Sequence, residues 1–210
     1  MVAKRRKVGN LLGLQVLATL FERPMHPYEI AAEMRGRGKE DDLKIQWGSL
    51  YTVVQNLEKH GFIEAGETTR EGRRPERTVY RITDAGREET ADWLREIVGV
   101  PEKEYPRLKA ALSVLGVLPP DEVIHLLEQR IDILGSELAT TRAGLEDTAK
   151  AVPRIFLIET EYSTALQEAE IAWLRGLLEE LEAGTLPGMA EWRHYHETGE
   201  LLFGRPDAQQ

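Results

Sequence analysis

Residues 47–81 constrain this chain more than any other stretch. They read WGSLYTVVQNLEKHG, then FIEAG, then ETTREGRRPE, then RTVYR. Leu50, Val53, Val54 and Leu57 fall at the three- and four-residue steps of one helical face, and Gly61 stands where a left-handed residue would stop that helix. Between the apolar positions lie Ser49, Tyr51, Thr52, Gln55, Asn56 and Lys59, an opposite face rich in hydrogen-bonding groups and poor in charge. Residues 62–66 and 77–82 alternate enough to form a two-stranded ribbon. Its turn carries Arg70, Arg73, Arg74 and Arg77 against Glu71 and Glu76. Such a helix fits the major groove of a nucleic-acid duplex, and the arginines suit phosphates or a narrow minor groove.

The preceding residues predict two further helices. Leu11, Leu12, Leu14, Val16, Leu17, Leu20 and Phe21 make an amphipathic first helix that ends before Pro24. In PYEIAAEMRGRG, Pro27 suits a first helical position, Ile30, Ala31 and Met34 form the apolar stripe, and Gly36 and Gly38 close the helix. Residues 39–44 are charged and expected to be irregular, with Ile45 leading into the third helix. After the ribbon, Thr83 caps a fourth helix, DAGREETADWLREIV. Three helices followed by a ribbon make a winged helix-turn-helix.

Net charge is −9, which at first opposes a polyanionic partner. The distribution answers it: residues 1–100 hold 17 Lys+Arg against 16 Asp+Glu, whereas residues 101–210 hold 10 against 20. Positive charge concentrates further in residues 4–7 and in the hairpin, and local field steers a polyanion more than total charge does. No apolar run reaches the roughly 20 residues of a membrane helix. The N-terminus places charge before an apolar run, but that run is helically periodic and FERP is no small-residue cleavage site, so a basic arm and a core helix in a cytoplasmic protein are expected. No cysteine is present, which excludes disulfide and thiolate chemistry.

MHPYEI, WGSLYTVVQNLEKHGFIE, the arginine-rich turn and VYRITDAGREETADWL together resemble the PadR family of transcriptional regulators, in the right order and spacing over residues 11–94. One departure is Pro27, where the family usually has Gly between His26 and Tyr28. The resemblance implies that residues 48–59, from Gly48 to Lys59, are the recognition helix, that residues 62–82 are the wing, and that Tyr28, Ser49 and Tyr51 contact phosphate or bases. Hydroxyls near helix N-termini donate well to phosphate oxygens, and Gln55 and Asn56 can pair bidentately with adenine when they point into the groove. Blander readings stand beside these. The tyrosines could pack with their hydroxyls wet, Asn56 could face solvent alone, and arginines on a turn are usually a solvated surface.

Residues 99–102, Gly-Val-Pro-Glu, mark an expected domain boundary. A short helix from Arg107 to Leu115 follows, and Pro119-Pro120-Asp121 starts another. Val123, Leu127, Ile131, Leu134, Leu138 and Leu145 predict a long helix with a coiled-coil-like seam. Beyond Pro153, a second long helix carries Ile155, Ile158, Tyr162, Leu166, Ala169, Trp173, Leu177 and Leu181 and ends at Gly184. Two antiparallel helices have too little interior of their own for such stripes, so a homodimer is expected, with a monomeric three-helix packing as the alternative. The fold class is therefore mainly α with a small β-wing: a winged helix-turn-helix domain at 1–98, an antiparallel helical dimerisation domain at 99–184 and a C-terminal tail at 185–210. In the tail, Trp192, Tyr195, Leu201, Leu202 and Phe203 suggest a docking segment.

Catalysis has little support. HYHE at residues 194–197 is the only metal-like cluster, and its His-x-His spacing suits a strand better than the helix or loop expected there. GRGKE lacks P-loop spacing, and no nucleophile elbow is present. Neither cofactor nor metal is expected. The functional expectation is a double-stranded DNA-binding regulator, a repressor, that binds an inverted-repeat operator as a homodimer and is released by a small aromatic or cationic effector. Trp93 and Trp173 are candidate pocket walls, with an interdomain wedge and a dimer-core residue as their ordinary alternatives. The competing expectations are a ligand-independent regulator and a protein-interaction module that uses the acidic helical half.

Overall fold

The computed structural model describes residues 6–38, 47–69 and 77–200. The chain divides into two compact units, Met1–Glu104 and Tyr105–Gln210. The first contains α1 (Leu11–Leu20), α2 (Pro27–Gly36), α3 (Trp47–Lys59), β1 (Ile63–Thr69), β2 (Arg77–Ile82) and α4 (Asp84–Gly99).

Local chemistry sets these boundaries. The Asn10 side chain accepts the Leu12 N–H at 2.9 Å, which satisfies one of the free donors at the start of α1. At α2, His26 accepts from the Tyr28 N–H at 3.1 Å while Glu29 accepts the His26 N–H at 2.9 Å, a reciprocal cap around Pro27. Gly61 has φ +75°, as its place after α3 requires, and Gly38 past α2 has φ +70°. Thr83 caps α4 by accepting the Gly86 N–H at 3.0 Å, and its hydroxyl lies 2.7 Å from the Gly61 carbonyl.

The core of this unit is one cluster. Val16, Leu17 and Leu20 of α1, Ile30 and Met34 of α2, and Leu50, Val53, Val54 and Leu57 of α3 are buried together with Ile63 and Ile82 of the ribbon. Each fully buried aliphatic side chain contributes about 1.5–3 kcal/mol relative to exposure. The α3 face read from the sequence is thus the one that holds the helix down.

The ribbon is antiparallel, pairing Ile63 with Ile82, Glu64 with Arg81 and Ala65 with Tyr80. A register shift between Ala65 and Thr68 then brings Thr68 opposite Thr78 and Thr69 opposite Arg77. This bulge adds local twist partway up the hairpin. β1 extends further than the five residues expected of it.

The second unit holds α5 (Arg107–Leu112), a 3-10 turn at Leu115–Val117, α6 (Pro120–Thr148), a 3-10 turn at Arg154–Phe156, α7 (Ile158–Glu182) and α8 (Met189–Thr198). Val123, Leu127, Ile131 and Leu138 of α6 bury against Ile171, Leu174 and Leu181 of α7, with Met189 of α8 completing the cluster. Arg130 pairs with Glu170 and Arg142 with Glu168, each at 2.6 Å, across the hairpin.

The stretch from residue 185, read as a tail with a docking segment, contains α8, whose Trp192 indole donates to the Leu118 carbonyl at 2.9 Å. One sequence expectation changes here. The single stripe read along α7 is two. Leu174 and Leu181 face α6, whereas Ile158, Tyr162, Leu166, Ala169 and Trp173 are exposed. Both faces are apolar, so one 3.6-residue period ran them together.

Candidate nucleic-acid interface

The outer face of α3 is built by exclusion. Once Leu50, Val53, Val54 and Leu57 are committed to the core, the 3.6-residue period turns Gly48, Tyr51, Thr52, Gln55, Asn56 and Lys59 outward, and all six are exposed. Ser49 is half-buried. Residues 48, 52, 55 and 59 form one stripe about 16 Å long, the height of four to five base pairs. The stripe carries hydroxyl, amide and ammonium groups, with Tyr51 and Asn56 beside it. Tyr28, on the first turn of α2, is 65% exposed.

Several described arginines of this unit are already paired. Arg81 meets Glu64 at 3.0 Å across the ribbon. Arg37 meets Glu22 at 2.6 Å and Glu33 at 3.2 Å, while Arg23 reaches Glu29 and Glu33 at 3.1 and 3.3 Å. The Arg37 hydrogen bond holds the Glu22 carboxyl below the usual glutamate range, and the His26 N–H does the same for Glu29. Arg6, in the expected basic arm, turns inward. Its guanidinium pairs with Glu89 at 2.7 Å and with Glu96, and lies 5.3 Å from the centre of the Trp93 ring. Burial alone would lower its pKa, but the two carboxylates outweigh that and raise it.

The remaining expected site residues are placed as follows. Arg70, Arg73 and Arg74 lie outside the described residues, as does the side chain of Arg77, whose main chain pairs with Thr69. Trp93 is buried within the first unit, 5% exposed, and Trp173 is 53% exposed on α7 of the second. His196 bonds the Gly116 carbonyl at 2.9 Å rather than joining His194. Among the described residues no group of three or more His, Asp or Glu side chains is arranged to hold a metal ion, and no helix is long and apolar enough to cross a membrane.

Sequence reasoning missed the base of the wing. Met25 and Tyr80 exchange main-chain hydrogen bonds at 3.0 and 2.9 Å, so a one-residue third strand joins the ribbon to the entry of α2. The Tyr80 hydroxyl reaches toward Glu58 of α3 at 3.5 Å. Burial first, and Glu58 second, push the Tyr80 phenol up from its usual range. A lone bridge residue has no periodicity to reveal it, whereas His26-x-x-Glu29 before Pro27 was a readable capping signal.

No curated protein matches the chain. Among solved structures, Bacillus subtilis PadR in complex with operator DNA is similar at 19% identity and a TM-score of 0.68, covering 81% of this chain and 99% of that one. The same protein in complex with p-coumaric acid is similar at 16% identity and 0.68, covering 82% and 99%. The PadR-like regulator BC1756 from Bacillus cereus is similar at 22% identity and 0.57, covering 82% and 99%. At identities this low, the likeness is one of fold alone. A profile of the transcriptional regulator PadR-like family matches residues 16–92, which run from the middle of α1 to the middle of α4 and contain both α3 and the ribbon. Through residues 16–92 the chain carries a domain of the transcriptional regulator PadR-like family.

Proposed function

We propose that this chain is a cytoplasmic DNA-binding repressor that reads an inverted-repeat operator as a homodimer. The observation that carries the reading is the outer face of α3, where Tyr51, Thr52, Gln55, Asn56 and Lys59 are exposed together opposite a fully buried apolar face. Gln55 and Asn56 suit adenine edges, and the Thr52 methyl suits thymine. Lys59, Tyr28, Ser49 and the wing arginines Arg70, Arg73, Arg74 and Arg77 contact the phosphate backbone, which fixes register without reading sequence. A PadR of the same fold has been solved on operator DNA, which supports the assignment.

The exposed stripe on α7 is the pairing surface. Ile158, Tyr162, Leu166, Ala169 and Trp173 recur at steps of four, four, three and four along one side of the helix. A two-fold dimer sets two α3 helices about one DNA turn apart, roughly 34 Å. A small aromatic or cationic effector that binds at Trp93 or Trp173 and changes that spacing would release DNA. The p-coumaric acid complex of a PadR supports an aromatic ligand class.

The test is binding of the chain's own promoter fragment against salt. Affinity should fall steeply with added salt and be lost in Arg73→Glu/Arg74→Glu, whereas Gln55→Ala should cost about 1–3 kcal/mol and relax base preference. Weak, salt-insensitive binding unchanged in the wing variant would favour a protein-interaction module instead.

A further inference from the structure

His60 extends the outer face of α3. Thr52, Asn56 and His60 fall at steps of four, so the histidine continues a row of that face past Lys59, the last helical residue. It stands in the joint between α3 and the ribbon, where Gly61 turns the chain at φ +75° and β1 begins at Ile63. Two neighbours seat the imidazole. Its Nδ1 lies 2.7 Å from the Asn56 carbonyl oxygen, and its ring lies 6.3 Å from that of Phe62 with 23° between the planes. A carbonyl only accepts, so Nδ1 carries the hydrogen and Nε2 of the neutral ring is a bare lone pair. Nε2 has no protein partner among the described residues, and the side chain is half-buried.

We propose that His60 is a proton-dependent phosphate contact at the joint of α3 and the wing, so that DNA binding draws a proton onto Nε2 and affinity rises as pH falls. This rests on the DNA-binding function proposed above. Protonation leaves the seat of the ring intact, because Nδ1–H donates to Asn56 in both states and the carbonyl end of a helix favours a cation. Nε2 changes from an acceptor, which a phosphate repels, to a charged donor, which it attracts. The DNA-bound form then holds more protons than the free form, and acidification favours it. The charged and titratable groups on the elements that meet here are Glu58 and Lys59 of α3, Glu64, Tyr80 and Arg81 of the ribbon, and Asp84 and Arg87 of α4. His26 and Glu29 join them at the entry of α2, where Met25 bridges to Tyr80. Glu64 and Arg81 are paired with each other at 3.0 Å, the Tyr80 hydroxyl lies 3.5 Å from Glu58, and Arg87 lies 4.8 Å over the Phe21 ring. α1, which also packs on α3, carries no charged residue.

The experiment measures binding of the full chain, His60→Gln and His60→Arg to the promoter fragment and to an unrelated duplex, across a salt series at about pH 6 and about pH 8. At the lower pH, wild type should bind about fivefold more tightly per protomer than His60→Gln, with a salt slope steeper by up to about 0.9 per protomer. Both effects should appear on both duplexes, because a phosphate contact reads no sequence. At the higher pH wild type and His60→Gln should converge. His60→Arg, a fixed cation, should keep the tighter affinity and the steeper slope at both pH values. A difference between wild type and His60→Gln that is zero, or the same at both pH values, would overturn the proposal while leaving the DNA-binding function standing. A pH-dependent gain without a change in salt slope would also overturn it, since His60 would then act only by capping α3. Absence of DNA binding by all three chains would overturn the contact and the function together.

Discussion

Met25 and Tyr80 exchange both of their main-chain hydrogen bonds, at 3.0 and 2.9 Å, and that pair ties the start of α2 to the base of the wing. On the same residue, the Tyr80 hydroxyl reaches Glu58 near the end of α3. Tyr80 thereby joins three elements of the candidate interface. Tyr80→Pro removes the N–H that Met25 accepts and should cost about 3 kcal/mol, with the wing released from α2. Tyr80→Phe keeps the main-chain pair and should cost less than about 1 kcal/mol near neutrality.

The two Tyr80 variants also separate in pH. The folded state holds the Tyr80 phenol above its usual range, through burial first and Glu58 second. The folded form therefore keeps its proton more tightly than the unfolded chain. That contribution is fully present below the ordinary tyrosine range and is lost as pH rises through the raised value. Urea midpoints measured from neutral to alkaline pH should fall more steeply for wild type than for Tyr80→Phe. Parallel curves would contradict the assignment.

Gly86 tests how α4 is seated. A Cβ there would stand 2.0 Å from the Phe62 carbonyl oxygen and 2.9 Å from the Ile82 side chain, so the helix can lie against the ribbon only without one. Gly86→Ala should destabilise the first unit by about 3 kcal/mol, a fall in Tm of roughly 6–12 °C. Gly144→Ala on α6, where a Cβ meets nothing within 4 Å, should instead stabilise its helix by about 0.5–1 kcal/mol. Calorimetry of the two variants checks the contrast. A Gly86→Ala chain with native Tm would show that α4 shifts away without cost.

The exposed α7 stripe makes a prediction about association. Tyr162 is 66% and Leu166 54% exposed in the single chain. Tyr162→Glu/Leu166→Glu puts two charges on that face without entering the α6–α7 core. Sedimentation should show a dimer for wild type and a folded monomer for the variant. A variant that stays dimeric places the pairing surface elsewhere.

What the sequence revealed followed from locality. α1, α2, α3 and α4 announce themselves by period, Pro27, Thr83 and Gly61 by turn and cap chemistry, and Leu50, Val53, Val54 and Leu57 by facing inward together. The outer face of α3 was legible for the same reason, as the complement of its buried one. Arg6 was not, because its partners are 83 and 90 residues away and a basic arm reads the same whether it faces solvent or two glutamates. Met25 is a strand of one residue, too short for any pattern. α8 lay within reach: Gly188 and Gly199, both left-handed, bracket it, and Met189 and Trp192 share one face. Its polar, histidine-rich middle hid that periodicity.

The most direct test of the central reading is a nuclease footprint of the full chain on its own promoter region, repeated with Gln55→Ala. Two half-sites related by an inverted repeat and centred roughly 34 Å apart, or a multiple of that turn, should be protected. Gln55→Ala should weaken both equally. A single unpaired protected site, no protection, or a footprint indifferent to Gln55 would contradict a homodimer that reads DNA through α3.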